Sequence, residues 1–138
     1  MRFPYSTLLS SRDRPIIPVL VEGLGLRRLI RGLLDTGSDV TLLPYRLALD
    51  LGVALGPSRQ IGTATGQAVT YRLGHVTLEL RSESETIRWR AEVGFTAASL
   101  SVPVFGDQGF LEFMVSTFDG ELRAAELFAK GNIPNPQP

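Results

Sequence analysis

The 138-residue chain has no cysteine, a single histidine, a single lysine and a formal net charge of zero. Without cysteine there can be no disulfide and no thiolate–metal site. The balanced charge provides no overall attraction to nucleic acid or to an anionic membrane. No apolar run approaches the ~20 residues that span a bilayer. The first stretch, "MRFPYSTLLSSRDRP", has no apolar segment leading to a small-residue cleavage site. These absences lead to the expectation of a cytoplasmic protein that partners neither nucleic acid nor membrane. Hydrophobic residues at 43% and charged residues at 20% are ordinary for a globular domain. The length suits one domain with a real core, expected over residues 1–130, with a flexible tail at 131–138 where Pro and Asn are frequent.

Most of the sequence reads as short strands and tight turns, a mainly β fold. "PIIPVLVEG" and "LGLRRLIRGLL" suggest a hairpin turning at Gly23-Leu24-Gly25, with Pro15 and Pro18 pushing its first strand toward an edge. In "YRLGHVTLEL" and "TIRWRAEVGF" the apolar residues alternate: Val76, Leu78 and Leu80, then Ile87, Trp89, Ala91, Val93 and Phe95. "FMVSTFDGELRAAEL" suggests a hairpin with a two-residue turn at Asp119-Gly120. Two short helices are expected. One is "PYRLALDLG", with Pro44 at its first position and Gly52 as its stop; the other is a turn or two in "DQGFLEF". Arginines concentrate in the first 31 residues and acids in 107–126. They form two solvated faces or attract each other, within or between chains.

"LLDTGSDVTLLP", residues 33–44, contains the only Asp-Thr-Gly triplet. The leucines before Asp35 and the apolar run after it argue against a solvent-exposed surface turn. Gly37 lets the backbone bend with its N–H available. Thr36 and Ser38 bring hydroxyls that can donate to the carboxylate or to neighbouring backbone. The other aspartates, in "RDR", "SDV", "LDL", "GDQ" and "FDG", lack such a frame. His75, on an alternating strand, reads as solvent-facing, and Trp89 as core.

This segment resembles the active-site segment of the retropepsin-like aspartic proteases. "IGTATG", residues 61–66, is similar to their glycine-bounded flap tip, and "VPVFGD", residues 102–107, to the strand packed beside the catalytic turn. The likeness covers roughly residues 15–126. It implies a closed β-barrel with a flap hairpin and one or two short helices. It also implies an aspartic endopeptidase that needs no metal or other cofactor, with Asp35, Thr36 and Gly37 as the catalytic triplet. Ser38, Asp39, Gly62, Thr63, Ala64, Thr65, Gly66, Phe105 and Gly106 would bind an extended peptide or protein substrate. Because the mechanism needs two carboxylates and the chain has one such triplet, the economical assembly is a homodimer in which Asp35 meets its symmetry mate. By the resemblance, Thr36 bonds across the axis to partner backbone, and Phe105 packs beneath the site or lines a pocket.

The chain also departs from the family pattern. Retroviral members commonly follow the equivalent of Gly106 with an arginine that supports the acid after the catalytic turn. Here that position is Asp107, which leaves Arg12, Arg14 or Arg31 to neutralise Asp39. Two further readings compete with the protease: a non-cleaving dimerisation or peptide-binding module of the same fold, and an unrelated β domain in which the triplet is only a turn.

Overall fold

The computed structural model describes residues 1–8, 11–62, 66–100 and 102–136. A short first strand, β1 (Arg2–Pro4), precedes β2 (Ile16–Gly23) and β3 (Leu26–Leu34), which form the expected hairpin. Leu24 and Gly25 take positive φ values of 43° and 80°, so this two-residue turn matches the twist of its strands. β4 (Leu42–Pro44) leads into α1 (Tyr45–Leu51). The sequence suggested Pro44 as the first helical residue, but it lies just before the helix, as its N-cap. It keeps an extended conformation because it still pairs with Thr96 in a strand ladder. Gly52, at φ 65°, ends α1 by donating its N–H to the last carbonyls.

β5 (Ser58–Gly62), β6 (Ala68–Arg81) and β7 (Thr86–Thr96) follow, then the two-residue β8 (Val104–Phe105). The order β2-β3-β8-β4-β7-β6 closes into a barrel because β6 pairs back onto β2 at Leu20–Glu22. β2 is therefore an edge only in its first half, where Pro18 lies without a β6 partner. The alternation in β6 and β7 fills the barrel: Val76, Leu78, Leu80, Trp89, Ala91, Val93 and Phe95 are all buried. At the closing seam Glu79 is buried among arginines, with Arg88 at 3.0 Å and Arg81 beside it, while Glu22 holds Arg27 and Arg88. Such pairs compensate the desolvation of Glu79 more than they add net stability.

After a single 3-10 turn (Leu111–Phe113), β9 (Met114–Asp119) and β10 (Ala124–Ala129) form a second sheet with β1, in the order β1-β10-β9. The turn joining β9 to β10 is longer than the sequence suggested. Asp119 pairs with Ala124, so residues 120–123 form the loop. The Asp119 carboxylate caps it by accepting from the Glu121 and Leu122 N–H groups, both at 2.9 Å. Two pairs between early and late residues form within the chain, Arg2 with Glu126 at 2.8 Å and Arg123 with Asp13 at 2.6 Å. Hydrogen bonding and charge from Arg123 hold the Asp13 carboxyl below its usual range. A depressed folded-state value means this contribution is present above the usual carboxylate range and is lost as the pH falls below it.

Candidate active site

Asp35 and Gly106 lie together because the strands that deliver them run side by side. β3 and β8 are parallel, pairing Leu33 with Val104 and Leu34 with Phe105, so both strands end at the same rim of the barrel. There the Asp35 N–H donates to the Phe105 carbonyl at 3.1 Å. β4 returns along the other side of β8, with Leu42 opposite Val104.

The turn after Asp35 is held by its own polar groups. One Asp35 carboxylate oxygen accepts from the Gly37 N–H at 2.9 Å, and the Asp35 carbonyl accepts from the Ser38 N–H at 3.2 Å. The Ser38 hydroxyl donates to the Val40 carbonyl at 2.7 Å. Of the two roles open to that hydroxyl, it therefore serves the backbone. Asp35 is partly exposed, while Thr36 and Gly37 are open to solvent.

Gly106 packs directly against this turn. A Cβ there would lie 2.5 Å from the Val40 carbonyl oxygen and 2.7 Å from that of Ser38. Thr41, a residue not singled out from the sequence, is fully buried and clamps Gly106, its hydroxyl accepting from the Gly106 N–H at 3.2 Å. The signal was a lone hydroxyl inside "DVTLLP", where a core strand would carry only apolar side chains. Below, Phe105 stacks on Phe110 at 4.8 Å, and Trp89 meets Phe110 edge-on at 5.2 Å while donating to the Gly109 carbonyl. Phe105 is fully buried. Of the two placements expected for Phe105, beneath the site or on a pocket wall, the structure shows the first; Val104 lines the cleft.

The cleft has a volume of about 370 Å³. Asp35, Gly37, Ser38 and Asp39 form its polar side, Leu42, Leu100 and Val104 are apolar walls, and Ile61, Gly62 and Val69 contribute from the β5–β6 hairpin. Ile61 and Val69 are cross-strand partners in that hairpin, which carries the flap expected from the sequence. Thr63, Ala64 and Thr65, expected at its tip, lie outside the described residues. Gly66 is exposed at φ 83°. The apolar wall residues went unread because single leucines and valines in strands carry no signal that separates a cleft wall from core.

Among the described residues Asp39 forms no ion pair, with Arg12, Arg14, Arg31 or any other cation. Its loop is held through the backbone: Asp107 N–H donates to the Ser38 carbonyl at 2.9 Å and Gln108 N–H to the Asp39 carbonyl at 3.0 Å. His75 is exposed, 3.4 Å from Glu92, and away from the cleft.

A sequence model of a family described as aspartyl protease matches residues 17–93. That span includes the Asp35 turn, the flap hairpin and most of β7. No curated protein matches the chain. Among solved structures, the EIAV protease complexed with the inhibitor HBY-793 is similar at 26% identity and a TM-score of 0.43, over 67% of this chain and 81% of that one.

Proposed function

The chain belongs to the aspartyl protease family, and from that premise we propose that it is an aspartic endopeptidase that works as a homodimer. The observation that carries this reading is that Asp35, whose carboxylate accepts from the Gly37 N–H, lines one cleft with Ile61, Gly62 and Val69 of the β5–β6 hairpin. Two such carboxylates facing each other across a two-fold axis cannot easily both ionise, so the pair holds one proton between them. The ionised member takes a proton from a water, which attacks the scissile carbonyl. The protonated member polarises that carbonyl, and the proton then passes to the leaving nitrogen. Thr36, exposed at the turn, would bond to the partner's backbone.

An extended peptide fits between floor and hairpin as an added strand, its alternate side chains meeting the walls made by Leu42, Ile61, Val69, Leu100 and Val104. Closing the hairpin would exclude water from the dyad.

The second sheet supports a dimer by a route that leaves the chain ends in place. Among the described residues β1 and β9 each pair only with β10, so they are the two edges of this sheet, and β9 is the edge that carries an exposed apolar pair. Val115 on β9 and Phe128 on β10 are cross-strand partners, 53% and 54% exposed. A second β9 across the axis would satisfy the edge and cover part of this apolar face. Val115→Asp is expected to weaken the dimer at least ~10-fold by placing a charge in that interface, as read by sedimentation equilibrium. An unchanged association constant would remove β9 from the interface. Because Arg2–Glu126 and Arg123–Asp13 close within one chain, salt is not expected to weaken the dimer through them.

The reading is tested by incubating the protein with a complex peptide mixture from about pH 3 to 8 and sequencing the products. Internal cuts flanked by apolar side chains are expected. A folded dimer that cuts nothing at any pH would support the non-cleaving peptide-binding module instead.

A further inference from the structure

Among the described residues Asp39 has no ion pair, yet its loop is tied to the neighbouring strand β7 through Gln108. Two backbone bonds join Gln108 to the strand leaving the catalytic turn. Its N–H donates to the Asp39 carbonyl at 3.0 Å, and its carbonyl accepts from the Thr41 N–H at 3.1 Å. These bonds flank Val40, which forms a parallel bridge with Gln108. Thr41 in turn holds Gly106 through its hydroxyl and the Gly94 N–H of β7 through its carbonyl, at 3.2 and 2.8 Å. Gln108 is thus bonded to the strand leaving the Asp35 turn and, through Thr41, to Gly106.

The Gln108 side chain is fixed as well. Its Nε2 donates to Glu92 Oε1 on β7 at 3.0 Å, and the other Glu92 oxygen lies 3.4 Å from His75 Nε2 on β6. β6 and β7 are the two longest strands of the barrel and are paired along most of their length, so the backbone that carries Glu92 is firmly held, although its side chain is partly exposed. The charged groups facing Glu92 across this surface hollow are His75, Arg90 and Glu112. Glu112 is occupied by the Gly109 N–H at 2.6 Å.

We infer that Glu92 and Gln108 form a side-chain brace that sets the position of the Asp35 turn, with Gln108 as a positioning residue for catalysis. The consequence for catalysis rests on the aspartic protease reading; the brace itself does not. A displacement of the order of 1 Å at a reacting group can cost ~10²-fold in rate, so a polar contact distant from the cleft can matter to the chemistry.

A reciprocal exchange tests it. Q108E sets two carboxylates against each other and breaks the bond. E92Q keeps an amide oxygen that accepts from Gln108. The double variant E92Q/Q108E restores the bond with its donor on the opposite strand. Amide hydrogen exchange at Gln108 and Thr41 should quicken ~10-fold in Q108E and return to within about 2-fold of wild type in the double variant, with β6 and β7 amides unchanged. Peptide cleavage should show kcat reduced ~10-fold at little-changed KM in Q108E, with recovery in E92Q and in the double variant. Unchanged exchange in Q108E, or a double variant that does not recover, overturns the brace. Altered exchange with an unaltered kcat overturns its role in positioning. If the wild type cleaves nothing, the protease reading fails while the exchange rates still decide whether the brace exists.

Discussion

Asp35→Asn is expected to lower peptide cleavage by at least about 10³-fold, because general acid and general base are lost together in a symmetric dyad. The substitution is close to isosteric, and the amide oxygen can still accept from the Gly37 N–H, which lies 2.9 Å from the carboxylate. Asp35 is only partly buried and makes no ion pair among the described residues. Unfolding free energy should therefore change by no more than about 0.5 kcal/mol. The measurement is kcat/KM on one peptide for both proteins, beside denaturant unfolding. Activity surviving in the variant would place the chemistry elsewhere; activity lost together with the fold would make Asp35 a structural turn residue.

Gly106→Ala is expected to cost both stability and activity. Its added Cβ would meet the carbonyl oxygens of Val40 and Ser38 and the Val40 carbonyl carbon, all within 2.8 Å. These are backbone atoms, fixed by the bridge to Gln108 and by the Asp107–Ser38 bond, so no side chain can swing away to make room. Overpacking of this kind typically costs about 1–3 kcal/mol, and more where the neighbours cannot relax; about 3 kcal/mol is the expected value here. Whatever relief the backbone finds moves the Asp35 turn, so the remaining folded protein should also have a lowered kcat. Gly120→Ala is the control, since among the described residues nothing lies within 4 Å of its added Cβ and it is not part of the cleft. Equal unfolding midpoints for Gly106→Ala and wild type would contradict the close packing on which the site depends.

What the sequence disclosed was local. Alternation in β6 and β7 named the barrel core because period-two patterning survives whatever those strands pair with. The Gly-rich turn at 24–25 was legible because positive φ is costly for most side chains. Asp35 could be picked out because a carboxylate among leucines demands an explanation. The structure's additions depend on pairings between distant segments. Closure of the barrel by Leu20–Glu22 on β6 joins residues more than fifty positions apart, and no local pattern encodes that register. β1 pairs with β10 of the same chain, so the charge asymmetry that suggested contacts between chains is satisfied partly within one. Phe105 went beneath the site because its alternate neighbour, Val104, took the cleft side. A two-residue strand offers too short a pattern to tell the two faces apart.

The central claim is that each active site takes one Asp35 from each of two chains. Adding the Asp35→Asn chain to a fixed amount of wild type, with subunits allowed to exchange, tests it most directly. If mixed dimers form at random and are inert, an equal amount of variant should lower total activity to about one half, and a threefold excess to about one quarter. A site complete within one chain would leave activity constant across the whole titration, and that result would contradict the account.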